Sequence, residues 1–342
     1  MKKLLTLILI TPYIILSQNV TTEILIHNNI ERSYILYIPA NYDGVNSVPL
    51  VLNLHGYSSN AGQQLIYSEF YEIADTEGFI LIHPEGTTDD MGFQFWNIGD
   101  FSEVDDVGFL STLIDTISSE YNINTDRVYS MGMSNGGFMS YRLACELSDK
   151  ISAIASVTGS MSTNQINTCN PINPIPIMQI HGTLDPTVLY NGSLGIEAID
   201  DVISFWVNFN NCNTQPIFNN ITDLNLIDLC TAEHYIYENG DNDTSVELYK
   251  IINGGHTWPG AAIPLAGNNT NQDFNASQVI WQFFNQYDIN GLIETNSNIQ
   301  EPEIKKKKLE SIDILGRKTN KNKGFQLHIY DDGSVKKKYL VK

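Results

Sequence analysis

Apolar residues along this chain follow two alternating rhythms: short runs or every-second-residue patterns, and longer stretches with a helical period. Residues 23–27 (EILIH) and 34–38 (YILYI) predict two opening strands paired as a hairpin. Residues 49–54 (PLVLNL) form an apolar run, as expected of a strand buried on both faces. Helical periodicity follows over 63–75, then a strand at 79–83 closed by Pro84 and Gly86. The alternation continues with a helix over 107–117, a strand at 127–131, a helix over 135–147, strands at 151–157, 175–180 and 246–251, and a closing helix over 277–287. Strands alternating with helices predict an α/β fold, with a mostly parallel central sheet and helices on both faces. Residues 210–245 break the rhythm. They are rich in Asn, Asp and Thr and are expected to form a surface excursion.

The two ends of the chain read differently from the body. Met1-Lys2-Lys3 precedes an apolar run over 4–16 and then Ser17, the form of a secretory signal peptide over 1–17. The run is short for a spanning helix, and Pro12 interrupts it. Residues 291–304 are polar and read as a linker, and 305–342 as a short β-rich tail, which leaves 18–290 for the α/β domain. Charge divides the chain at the same place. Of 19 basic residues, 12 follow residue 300, together with only 6 of the 39 acidic ones. The body is therefore strongly acidic and the tail basic. A body of that sign repels phosphate backbones, so nucleic acid is not an expected partner. A monomer is expected.

Cysteine usage fits export. Cys145, Cys169, Cys212 and Cys230 imply two disulfides, and three pairings are possible. Pairing neighbours is simplest: Cys145 with Cys169, and Cys212 with Cys230 stapling the excursion. No CxxC occurs, so no metal site is expected.

Three groups of residues carry candidate chemistry. Gly132-Met133-Ser134-Asn135-Gly136-Gly137 lies between a predicted strand and a predicted helix. A serine on so sharp a turn needs glycines on both sides, because side chains there would strike the strand and the helix. A hydroxyl attacks poorly unless a base accepts its proton. Among seven histidines, His256 in Asn253-Gly254-Gly255-His256-Thr257-Trp258-Pro259-Gly260 sits on a loop just past a strand, where it can reach the turn. Asp185, just past the strand at 175–180, is the preferred carboxylate to orient that base, with Asp105, Asp106 and Asp201 as competitors. An oxyanion needs backbone N–H donors. Asn135, which follows the serine, supplies one, and Tyr57 or a neighbour in Leu54-His55-Gly56-Tyr57 the other. His55 is expected to serve that turn structurally. Trp258 and Trp96 are expected to wall a substrate pocket. No cofactor is implied.

These residues give the chain a resemblance to the polyhydroxybutyrate depolymerase-like esterases, a group that includes feruloyl and acetylxylan esterases. The likeness is carried over residues 30 to 288 by LHGYSSN, FWNIG at 95–99, DDVGFL at 105–110, GMSNGG, RLACE at 142–146, HGTLDP and GGHTWPG. It implies an α/β-hydrolase fold and cofactor-free hydrolysis of a polymeric or small ester through an acyl-enzyme, with Ser134 as nucleophile, His256 as base and Asp185 as its partner. Members often carry a cysteine after the first HG and another before WN; Tyr57 and Phe95 stand there instead. A serine peptidase on the same fold and an inactive surface glycan binder are the competing readings. The tail resembles the C-terminal sorting module of the type IX secretion system through Ile312-Asp313-Ile314-Leu315-Gly316-Arg317-Lys318 and Ile329-Tyr330-Asp331-Asp332-Gly333-Ser334. That resemblance implies the export machinery as a partner and an extracellular or cell-surface location.

Overall fold

The computed structural model describes residues 19–99, 102–263, 268–293, 308–312, 317–319, 324–330 and 335–340. The expected signal peptide, most of the expected linker and parts of the tail motifs lie outside them. The expected opening hairpin is β1 (Asn19–His27) and β2 (Ile30–Ile38), followed by β3 (Val48–Leu54). The single helix expected over 63–75 is two, α1 (Ala61–Ser68) and α2 (Phe70–Glu77). Glu69 between them adopts a left-handed conformation with φ 49°, which an α-helix cannot continue through. Next come β4 (Ile80–Pro84), the short pair β5 (Thr87–Thr88) and β6 (Gln94–Phe95), α3 (Asp106–Glu120), β7 (Ile123–Met133), α4 (Asn135–Glu146), β8 (Ala153–Val157), α5 (Thr163–Thr168), β9 (Ile177–Gly182) and α6 (Ile199–Phe209). The chain continues through β10 (Ile217–Asn220), β11 (Thr231–Tyr237), β12 (Val246–Ile252), α7 (Ala276–Phe284) and the small hairpin β13 (Tyr287–Asp288) and β14 (Gly291–Leu292).

Ten strands form one sheet in the order β1-β2-β4-β3-β7-β8-β9-β12-β11-β10. The six from β4 to β12 run parallel, and an antiparallel pair flanks them on each side. Side-chain parity splits the core in two. Leu50, Leu52 and Leu54 of β3 join one cluster with residues of α3, α4 and α6, among them Phe109, Leu113, Tyr141 and Trp206. Val51 of β3 and Ala153, Ala155 and Val157 of β8 face the other cluster, with Phe70 of α2 and Trp281 and Phe284 of α7. Successive strand residues point to opposite faces, so a strand buried on both sides must be apolar at every position.

The stretch 210–245 departs from expectation. It adds β10 and β11 to the edge of the sheet instead of forming an irregular excursion. Its polar composition suits an edge: every residue of β10 is exposed. The expected second disulfide is also corrected. Cys145 and Cys169 are bonded, with a sequence separation of 24, and tie the last turn of α4 to the residue after α5. Cys212 and Cys230 are free, buried thiols. They pack on opposite faces of the sheet, in separate core clusters. They also lie at opposite ends of β11: Cys230 immediately precedes its first residue, whereas the N–H of Asn213 bonds the carbonyl of Glu238 beyond its last. Seven strand residues span about 23 Å, far beyond the reach of a disulfide. Burial pushes the Cys212 thiol up to about 11 and the Cys230 thiol up to about 12.

In the tail, β15 (Lys308–Ile312), β16 (Gly324–Tyr330) and β17 (Val335–Leu340) pair as a three-stranded antiparallel sheet. It belongs to a compact unit separate from the body, the division falling between Ile293 and Glu294. No helix among the described residues is long and apolar enough to cross a membrane.

The two buried thiols give a direct check. Ellman-type titration of the unreduced chain is expected to find no reactive thiol in the native state and two after denaturation. Fewer than two in the denatured chain would mean that Cys212 or Cys230 is bonded after all.

Candidate active site

Four loops meet at the carboxyl ends of parallel strands, the edge where open α/β sheets place their ligands. They follow β3, β7, β9 and β12 and carry Tyr57, Ser134, Asp185 and His256 respectively. Ser134 sits between β7 and α4 with φ 54° and ψ −120°, a strained conformation for a residue with a Cβ. Its N–H donates to the carbonyl of Val157 at 2.8 Å, which pins the turn to the neighbouring strand. The flanking glycines are required by space. A Cβ on Gly132 would lie 2.5 Å from the carbonyl of Gly136, and one on Gly136 would collide with the carbonyl of Leu54. Helix α4 starts at the next residue, so its positive end and its unpaired first-turn N–H groups lie beside the hydroxyl.

The imidazole and the carboxylate are in contact. Nδ1 of His256 is 2.8 Å from Oδ2 of Asp185. The carboxylate is fully buried, whereas the imidazole keeps a partly exposed edge. An ionised carboxylate only accepts, so the ring carries its proton on Nδ1 and presents a lone pair at Nε2. The other oxygen of Asp185 accepts the N–H groups of Thr187 and Val188 at 2.8 and 2.9 Å. The two loops are also tied to each other. The N–H of Leu184 bonds the carbonyl of Gly254, and that of Asn253 bonds Oγ1 of Thr183. The competing carboxylates are engaged elsewhere. Asp105 caps α3, Asp106 forms a buried ion pair with Arg32 at 2.7 Å, and Asp201 lies in the first turn of α6.

Gly56 and Tyr57 pass directly over the serine: a Cβ on Gly56 would sit 3.4 Å from that of Ser134. His55 spends Nδ1 within its own turn and Nε2 on the loop after β4. Nδ1 lies 2.8 Å from the carbonyl of Gly56, and Nε2 lies 2.9 Å from the N–H of Gly86. The phenol of Tyr57 points away and donates to Asp89 at 2.7 Å, and its ring meets Phe93.

The two tryptophans do not wall a pocket. Trp96 and Trp258 are each only 1% exposed and belong to the core. Rings of that size fill the layer beneath the loops, where their indole N–H groups find acceptors. Nε1 of Trp96 donates to the carbonyl of His55 at 3.0 Å, and Nε1 of Trp258 donates to Oγ of Ser277 at 3.0 Å. The side chain of Asn135 has a function that sequence reasoning missed. Its Oδ1 accepts the N–H of Trp96 at 2.6 Å and its Nδ2 donates to the Trp96 carbonyl at 3.1 Å. The Trp96–Asn97 segment therefore grips both the His55 loop and the Ser134 turn, the elbow between β7 and α4. Asp106 secures it by accepting the N–H of Asn97 at 2.7 Å, and Arg32 stacks 4.0 Å from the ring of Phe109 behind that carboxylate. The FWNIG and DDVGFL motifs held the signal for this brace; single-residue inspection did not.

Ser134 and His256 line one cavity of about 520 Å³, together with Gly56, Tyr57, Ile66, Tyr67, Met133 and Ile263. Its size falls in the ordinary range for small-molecule sites. No group of three or more side chains suited to a metal occurs among the described residues.

Comparison with known proteins finds similarity to esterases. A feruloyl esterase B of Piromyces equi is 31% identical over 66% of this chain, which spans 42% of that protein's length. A bifunctional acetylxylan esterase/xylanase of Neocallimastix patriciarum is 27% identical over 78% of this chain, which spans 35% of its length. This chain thus covers less than half of each of these relatives. Among solved structures, an acetyl xylan esterase from Aspergillus awamori superimposes with a TM-score of 0.55 at 14% identity, covering 78% of this chain and 99% of that one. A feruloyl esterase module from Clostridium thermocellum gives 0.50 at 12% identity, covering 71% and 83%. At such identities the structural likeness concerns the α/β-hydrolase fold. A model of the family described as Esterase PHB depolymerase matches residues 32–207, just over half of the chain. The chain belongs to the esterase PHB depolymerase family.

Proposed function

We propose that this protein is a serine carboxylic ester hydrolase that works through an acyl-enzyme. The observation that carries the reading is the 2.8 Å contact between His256 and Asp185 beside the cavity that His256 shares with Ser134. In this reading Oγ of Ser134 attacks the ester carbonyl while Nε2 of His256 takes its proton. Asp185 holds the ring in the required tautomer and stabilises the imidazolium. The N–H groups of Asn135 and Tyr57 receive the oxyanion. His256 then protonates the departing alkoxide, and a water molecule activated by the same base releases the acid. Replacing Ser134 by Ala is expected to lower turnover of an aryl ester by about 10⁴-fold or more. A fluorophosphonate is expected to label the unmodified chain at Ser134. A variant with near-parental activity would refute the assignment, and absent labelling would favour a binding protein on the same fold.

The cavity bears on the substrate. Relatives are named for feruloyl and acetylxylan esters. An acetyl group fills little of about 520 Å³ and leaves Ile66, Tyr67, Met133 and Ile263 uncovered. A phenylpropenoyl group buries far more apolar area, at roughly 25 cal/mol per Å². Feruloyl esters of polysaccharide are therefore favoured over acetyl esters. Specificity measured as kcat/KM for methyl ferulate should exceed that for acetylated xylan by about tenfold or more, a gap of only about 1.4 kcal/mol. The reverse order would exclude a feruloyl preference.

We further infer that residues 1–17 direct export and that the tail is a sorting module read by secretion machinery, which would place the enzyme outside the cell or at its surface. The support is the tail's own three-stranded sheet, its separateness from the body and its basic charge. Deleting 294–342 is expected to leave activity in cell lysates and remove it from the medium and the cell surface. Unchanged export would dismiss the module.

A further inference from the structure

Behind Asp185 runs a line of buried polar groups that the ester chemistry above does not use. Tyr141 on α4 and Gln179 and His181 on β9 are all completely buried. The phenol of Tyr141 donates to Oε1 of Gln179 at 2.7 Å. That contact turns the amide nitrogen the other way, where it donates to the carbonyl of Gly159 at 2.9 Å and lies 3.0 Å from Nδ1 of His181. On the far side of the ring, Nε2 is 2.8 Å from the carbonyl of Val188 and 3.4 Å from Oδ2 of Asp185.

The chemistry of these partners fixes every proton. A carbonyl only accepts, so Nε2 of His181 carries hydrogen; an amide NH₂ only donates, so Nδ1 is the lone pair. Burial holds His181 below its ordinary pKa, which keeps the ring neutral and fits that tautomer. Glutamine suits the centre because its side chain accepts from one neighbour and donates to two others.

The line joins the parts that must be held in register. Tyr141 belongs to the helix that begins beside Ser134. Gly159 lies two residues past Val157, whose carbonyl receives the Ser134 N–H. His181 grips the carbonyl of Val188, a residue whose N–H holds Oδ1 of Asp185. We propose that Tyr141, Gln179 and His181 form a relay of positioning residues that fixes the Asp185 carboxylate, and through it the His256 ring, relative to Ser134. The proposal rests on the esterase reading. It assigns these residues a catalytic consequence that core packing alone would not produce, because a misplacement of about 1 Å in a reacting constellation can cost about a hundredfold in rate.

The test measures kcat and KM on an aryl ester for Tyr141→Phe and Gln179→Met, each in the wild-type and Asp185→Asn backgrounds of the full chain, with a melting curve for each. Gln179→Met is expected to lower kcat by about tenfold or more, and Tyr141→Phe by about threefold or more, with KM within about twofold. In the Asp185→Asn background, where the oriented carboxylate is already lost, the same substitutions should cost less than about threefold and less than about twofold, respectively. Equal losses in both backgrounds, or unchanged kcat in the folded variants, would overturn the relay. If Gln179→Met does not fold, Tyr141→Phe, which removes one oxygen, decides the matter alone. Fluorophosphonate titration of the unmutated chain separates the two hypotheses. An unlabelled Ser134 refutes the esterase reading, whereas labelling with background-independent losses refutes the relay.

Discussion

The whole site depends on holding one serine in a conformation it would not otherwise adopt. A residue with φ 54° and ψ −120° costs on the order of 1–3 kcal/mol and persists only where its surroundings over-determine it. Here the determination is steric and polar together. Gly132 and Gly136 let the strand, the turn and the helix approach to contact distance, with the Leu54 carbonyl filling the space that side chains would need. The hydrogen bond from Ser134 to Val157 then fastens the turn to the next strand. Because the core is apolar on both faces of the sheet, the strands beneath cannot shift to relax that strain.

The remaining functional groups are arranged around that fixed point by two buried polar systems. One braces the loop over the serine. Arg32, Asp106 and Asn97 anchor Trp96, and Trp96 holds both the His55 carbonyl and the Asn135 side chain. The other lies under the acid loop and links it to the helix of the elbow through Tyr141, Gln179 and His181. In the second, every side-chain nitrogen and oxygen of Tyr141, Gln179 and His181 has a partner, which is the condition under which buried polar networks make a structure rigid and unique. The segments carrying Tyr57 and Phe95 meet through noncovalent contacts: the N–H of Ser58 on the carbonyl of Gln94, and Tyr57 against Phe93.

Particular residues show where reading the sequence succeeded and where it stopped. The strand runs at 49–54 and 79–83 were legible because burial on both faces forces continuous apolarity. The elbow was legible because its glycines have a local steric cause. Strand β11 was not, because a strand one in from the edge, with Glu233 and His234 half-exposed, lacks that signature. The break at Glu69 was hidden because the apolar period continues across it. Proximity in sequence to the chemistry points Trp96 and Trp258 to a pocket, but rings of their size suit the layer below. Neighbourhood along the chain pairs Cys212 with Cys230, but the length of β11 between them puts that bond out of reach.

By itself, the sequence determined the alternating α/β architecture, the glycine-flanked serine, and the order in which serine, carboxylate and imidazole follow along the chain, because each depends on local periodicity or local sterics. Tertiary structure alone decided that Asp185 and His256 touch, that both free thiols are buried apart, and that the space beside Ser134 is apolar and sized for a small molecule. Those are distances between segments far apart in sequence, set by how strands order themselves in a sheet and by which side chains fill the layers between, and no local pattern encodes them.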